Sequence, residues 1–96
     1  MQTIAERLAW ARVQAALDRR ELARIAGLGS ETHVGLIESG DRPDPRGSTL
    51  KKLALALGVS FGWLAAGEGD IPSAETIRAA IERARSKHNA AVAAVA

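Results

Sequence analysis

The side chains able to do acid–base, nucleophilic or metal chemistry are few and lie far apart. Histidine occurs twice, at His33 and His88, in separate segments, and there is no cysteine. A thiolate nucleophile, a thiolate metal site and a disulfide framework are therefore excluded. No His-Glu-x-x-His pair, no phosphate-cradling glycine loop and no nucleophile elbow is present. The reading is of a protein that is not an enzyme, with no metal site and no cofactor. What remains is hydrogen-bonding chemistry. Ser30, Glu31, Thr32 and His33 follow one another, offering hydroxyl, carboxylate, hydroxyl and imidazole groups. Arg19 and Arg20 stand before them and Arg42 and Arg46 after them, and a guanidinium is the side chain best shaped to pair with an oxyanion.

These residues need elements to position them, and the spacing of apolar residues predicts helices. Ile4, Leu8, Ala11 and Ala15 fall on one face of a helix expected from Thr3 to Ala16. Trp10, Val13 and Leu17 form a weaker stripe beside it, and Trp10 is larger than a solvated position needs. Asp18 is placed to cap a second helix from Arg19 to Ala26, with Glu21 completing a capping box and Gly27 ending it. A short turn then leads to Ser30, the expected N-cap of a third helix from Glu31 to Ser39, in which Val34 and Ile37 face the core. The run from Gly40 to Gly47 holds Pro43 and Pro45 and must be a loop. Ser48 is the expected cap of a fourth helix with Leu50, Leu53, Ala54 and Leu57 inside. Ser60 is the expected cap of a short fifth helix, and Ser73 that of a sixth. In the sixth, Ile77, Ile81, Ala84, His88, Ala91 and Val95 recur at heptad spacing, but only two are large apolar residues, so its Ala-rich end after Asn89 is expected to fray.

Composition agrees with an all-α class. Of 96 residues 47% are apolar and 25% charged, and Ala and Leu dominate the apolar set, as in good helix formers. The expected organisation is a domain over residues 1–69 and a C-terminal helical extension over 70–96. No apolar run approaches the roughly 20 residues that span a bilayer, and the opening residues lack the pattern of a secretory signal. A cytoplasmic protein with no membrane partner is expected. The net charge of +2 is a weak pointer to nucleic acid, because residues 1–70 hold as many acids as bases and the excess falls in the tail.

Taken together, Arg7-Leu8, Arg12, Leu17, Leu22-Ala23, Gly27, Val34, Ile37-Glu38, Gly40, Leu53-Ala54, Leu57-Gly58-Val59 and Trp63-Leu64 resemble the Cro/C1-type, lambda repressor-like helix-turn-helix domain of phage repressors. The resemblance covers about residues 4 to 67 and implies a five-helix DNA-binding fold, here with an additional C-terminal helix. It implies a repressor-like transcriptional regulator that binds double-stranded DNA as a homodimer, with helix 2 across the backbone and helix 3 in the major groove. It places base-edge contacts on the first exposed turn of helix 3, at Glu31, Thr32 and His33, with Ser30 and Leu36 as further DNA-binding candidates. Since helix 3 has no Lys or Arg, phosphate charge must come from Arg19, Arg20, Arg42 and Arg46, of which Arg46 could alternatively enter a minor groove. It pairs Arg12 with Glu38 as a structural salt bridge, and it puts a dimer surface around Phe61 and Trp63. The Ile77 and Ile81 face, which needs a partner, is a competing dimer surface, or packs on helix 1 of its own subunit. Two positions depart from the family pattern: Gly29 looks like an insertion in the turn, and Arg19 stands where an amide is usual.

Each of these residues also has a plain structural use. Ser30 caps a helix, Glu31 suits a helix's first turn, Thr32 and His33 fit a solvated helix face, and Arg42 and Arg46 balance Asp41 and Asp44 in the loop. The other functional class is a protein-interaction module, antitoxin-like or adaptor-like, that uses the same fold.

Overall fold

The computed structural model describes the backbone of residues 1–95 and the side chains of residues 1–87. The chain is all-α, with no strand among the described residues. Its helices are α1 (Ile4–Gln14), α2 (Arg19–Ala26), α3 (Thr32–Ser39), α4 (Gly47–Leu57), α5 (Phe61–Ala66) and α6 (Ala74–Val95). α1 packs on α3, α5 and α6, α4 packs on α2, α5 and α6, and α2 packs on α3. Leu8, Leu22, Val34, Leu53, Leu57 and Leu64 are fully buried at the centre.

The predicted stripes of α1 and α4 point inward, but several element boundaries differ from the sequence reading. α1 stops at Gln14 and not at Ala16, because Ala16 adopts a left-handed backbone with φ 57°. There its N–H donates to Val13 O at 3.0 Å and that of Leu17 to Arg12 O at 3.2 Å, which turns the chain and drops Leu17 into the core. α4 starts at Gly47 behind an extended Arg46, so Ser48 lies inside the first turn and does not cap it. Pro45 is buried and holds the end of the loop, and the Leu50 amide closes the first turn on Arg46 O at 3.0 Å. Asp18, Ser60 and Ser73 do accept from the amides of Glu21, Trp63 and Thr76, at 2.7, 3.0 and 3.1 Å. Glu21, however, does not turn back to complete a capping box. Its two carboxylate oxygens each accept from Arg85 Nη2 at 3.0 Å, tying α2 to α6.

Of the two placements expected for the apolar face of α6, the structure shows the one within its own chain. Ile77 and Ile81 are 0% and 2% exposed, within the same core cluster as Leu8 and Leu57. Arg78 Nε donates to Gln14 O at 3.2 Å at the end of α1. Ile77 and Ile81 thus find their partner inside their own chain and are not left open to a second copy. Trp63 is lost to a dimer surface for the same reason: it is 3% exposed and meets Trp10 edge to face, ring centroids 5.9 Å apart at 64°. Of the four side chains expected at a dimer contact, only Phe61 is exposed, at 46%. The heptad positions His88, Ala91 and Val95 lie outside the described side chains.

An interaction that spacing did not show closes the other side of the core. Arg7 is 5% exposed, and its Nε and Nη2 donate to Leu64 O and Ala65 O at 2.9 and 3.3 Å. The carbonyls at a helix C-terminus carry the negative end of its dipole, so α5 supplies the counter-charge that a buried guanidinium requires.

The docking of α6 depends on Gly58, which ends α4 at φ +69°. A Cβ built there would stand 2.4 Å from Ala80 Cβ. Gly58→Ala should lower stability by about 1–2 kcal/mol from the left-handed backbone alone, with the clash added. Combining it with Ala80→Gly should cost less than the sum of the two single changes in thermal denaturation, and strict additivity would show that α6 does not pack at this point.

Candidate nucleic-acid interface

α3 is too short to hold its own orientation, and its setting comes from one carboxylate. Glu38 sits on the inward side near its C-terminus, its side chain 3% exposed. Arg12 from α1 approaches it as a fork, Nε to Oε2 at 2.7 Å and Nη2 to Oε1 at 3.0 Å. Its remaining Nη1 donates to Leu17 O at 2.9 Å, in the turn after α1. The hydrogen bonds that Arg12 donates to Glu38 raise its pKa against the opposing effect of burial, so this guanidinium keeps its proton at any ordinary pH. Arg19, the first residue of α2, adds Nε to Oε1 at 3.3 Å while its side chain stays 51% exposed. One carboxylate therefore joins α1, α2 and α3.

With Glu38, Val34 and Ile37 turned inward, the opposite face of α3 is fixed. Thr32 and His33 are exposed and Leu36 partly so. Ser30 stands one residue further out than a usual N-cap. Its Oγ accepts from the Thr32 amide at 3.0 Å, while Glu31 already has helical backbone angles (φ −64°, ψ −16°) with no capping role for its own side chain. α3 therefore begins at Thr32, one residue later than the sequence reading. Gly29, the extra turn residue, has open space where a Cβ would be and is absorbed at the surface.

The arginines and the polar residues gather into two neighbourhoods. Arg20 and Arg24 border an open recess with Gly29, Ser30 and Glu31, alongside Asp18 and Glu21. On the other side His33 shares a recess with Arg42 and Arg46, joined by Asp44, Ser48 and Thr49. Thr32 and Leu36 belong to neither recess; they lie on the exposed surface of α3. Arg19 is held on Glu38. Sequence reasoning missed Ser48 and Thr49, which enter the recess because α4 starts early. Its first turn has no side-chain cap, so backbone N–H groups at that end are left for another acceptor. No local signal marks this start: Ser48 is the better cap by residue type, and the burial of Pro45 at the end of the loop cannot be read from the sequence.

This arrangement offers donors and acceptors on one short helix, with guanidinium groups at either side. Among the described residues no group of three His, Asp or Glu side chains is placed to hold a metal ion, and no helix is long and apolar enough to cross a membrane. The family model described as helix-turn-helix matches residues 8–64. The chain belongs to the Cro/C1-type helix-turn-helix family. No curated protein and no solved structure matches it. The matched segment runs from Leu8, the second residue of the α1 core stripe, to the end of the Trp63-Leu64 pair and leaves α6 outside. As a member of this family the protein carries a DNA-binding domain whose motif is α2, the Gly27–Glu31 turn and α3.

Replacing Glu38 with Gln should cost about 3–5 kcal/mol in urea denaturation, since it strips a largely buried guanidinium of its charge partner. Arg19→Ala, at a half-exposed position, should cost less than about 1 kcal/mol. Equal losses would mean that Arg12 is not the dominant partner.

Proposed function

We propose that this protein is a sequence-specific transcriptional regulator of the repressor type, reading an inverted-repeat operator in double-stranded DNA as a homodimer. The observation that carries the reading is the outward face of α3. Thr32, His33 and Leu36 are presented together on a helix whose inward face is locked by Glu38. In the major groove, Thr32 bonds several base edges or packs on a thymine methyl, His33 donates or accepts, and Glu31 accepts from a cytosine amino group. Ser30, beside the turn, bonds phosphate or a base edge. With no Lys or Arg on α3, the phosphate charge comes from Arg19, Arg20, Arg42 and Arg46 around it.

A single helix of this length reads only a few base pairs, so useful specificity needs two copies about a two-fold axis. Phe61, exposed at the start of α5, is the side chain best placed to contribute to that contact. The other use of the fold, as an antitoxin-like or adaptor-like interaction module, would follow from a balanced surface on which the bases do not outnumber the acids over residues 1–70.

Selection from random duplex DNA should return an inverted repeat with half-site centres about 10 bp apart or a multiple of that. Thr32→Ala or His33→Ala should relax the preference at one position per half-site, at about 1–3 kcal/mol. Arg46→Ala should weaken binding to every sequence and reduce the slope of log affinity against log salt by about one. Enrichment of no motif, or of one that ignores all substitutions from Ser30 to Leu36, would favour the interaction module.

A further inference from the structure

Gly35 stands in the interior of α3, where glycine is the least favourable ordinary residue because it gains no side-chain contact and loses the most backbone freedom. Such a residue is normally kept for one of two internal reasons, a left-handed backbone or a neighbour too close for a Cβ. Neither holds at Gly35. It is not among the positive-φ glycines Gly27, Gly40, Gly58, Gly67 and Gly69. A Cβ built on it would find nothing from the rest of the fold within 4 Å, whereas one on Gly58 would meet Ala80 at 2.4 Å.

Its position within α3 shows which way that open space faces. Val34 and Ile37 are 0% and 1% exposed on the core side. Gly35 lies three residues after outward Thr32 and three before inward Glu38, the helical spacing of near neighbours, so it sits on the flank of α3 between its two faces. It is partly exposed there. The missing side chain therefore leaves the helix backbone bare along the edge of the face proposed to enter the groove.

We infer that Gly35 is a specificity-determining residue of the DNA interface: it lets this edge of α3 lie against a wall of the major groove closely enough for Thr32 and Leu36 to reach their bases. This inference rests on the DNA-binding reading above. A glycine is the usual solution where a backbone must come close to a ligand, and here the cost in helix stability is borne without any return inside the fold. The interface requires it, and the free protein does not.

The two requirements pull a substitution in opposite directions, which makes the inference testable on the full chain. Gly35→Ala should raise the melting temperature by several degrees, yet weaken binding to the duplex recovered by selection about tenfold or more, the size of one lost base contact. Gly35→Leu should weaken it further while the protein remains folded. Fluorescence anisotropy on that duplex, paired with thermal denaturation, reads both effects. A Gly35→Ala protein that binds as tightly as wild type overturns the inference and leaves the DNA-binding reading standing. A fall in melting temperature also overturns it, because the glycine would then serve the fold. Wild-type protein that fails to bind any selected duplex overturns the DNA-binding reading itself.

Discussion

A single carboxylate, Glu38, decides how the rest of the motif is arranged. Carrying a charge to 3% exposure is unfavourable unless the charge is paired and its lone pairs are satisfied. The Arg12 fork does both, and Arg19 takes a second share of one oxygen. Since each partner comes from a different helix, the geometry that satisfies Glu38 also sets the angle of α3 against α1 and the entry of α2. An apolar residue at this point would bury comparable area, but it would tolerate sliding and rotation that a bidentate ion pair does not. A helix held by a directional contact presents its outward face in one orientation, which is what the proposed reading of DNA would require.

The same logic appears at Arg7. There the charge is met by carbonyls at the end of α5 and not by an acid, so the two ends of the family-matched segment are pinned by oriented polar contacts while the centre is filled by leucines. The packing contributes most of the stability, and the polar contacts restrict which packing is allowed.

How much of this was legible beforehand depended on the range of the interaction. Local signals read well: Asp18, Ser60 and Ser73 cap where their residue type and position predict, and the stripes of α1 and α4 point inward. The family resemblance supplied Glu38 with its Arg12 partner across the fold, a pairing that periodicity alone does not show. Contacts between distant segments read poorly. Glu21 looks like the second half of a capping box, yet a carboxylate at that place is free to choose a stronger partner once α6 brings Arg85 alongside. Trp63, Ile77 and Ile81 were apolar residues in want of a partner, and a sequence cannot distinguish a partner in another chain from one a few dozen residues away. The boundaries of α1 and α4 failed for a different reason: Ala16 has no propensity for its left-handed backbone and takes it because the turn demands it, and Ser48 falls inside a first turn that opens at Gly47 behind an extended, uncapped Arg46.

The family match ends at residue 64, but the core does not. Ile77 and Ile81 fill space among side chains of the first five helices, Ala80 seats against the bend after α4, and Arg78 and Arg85 reach α1 and α2. The segment that looks like an appendix by pedigree is a keystone by packing. The matched unit and the packed unit therefore have different edges among the described residues, and a fragment cut at residue 64 would carry an open apolar trench along α1 and α4, which Ile77 and Ile81 fill in the intact molecule.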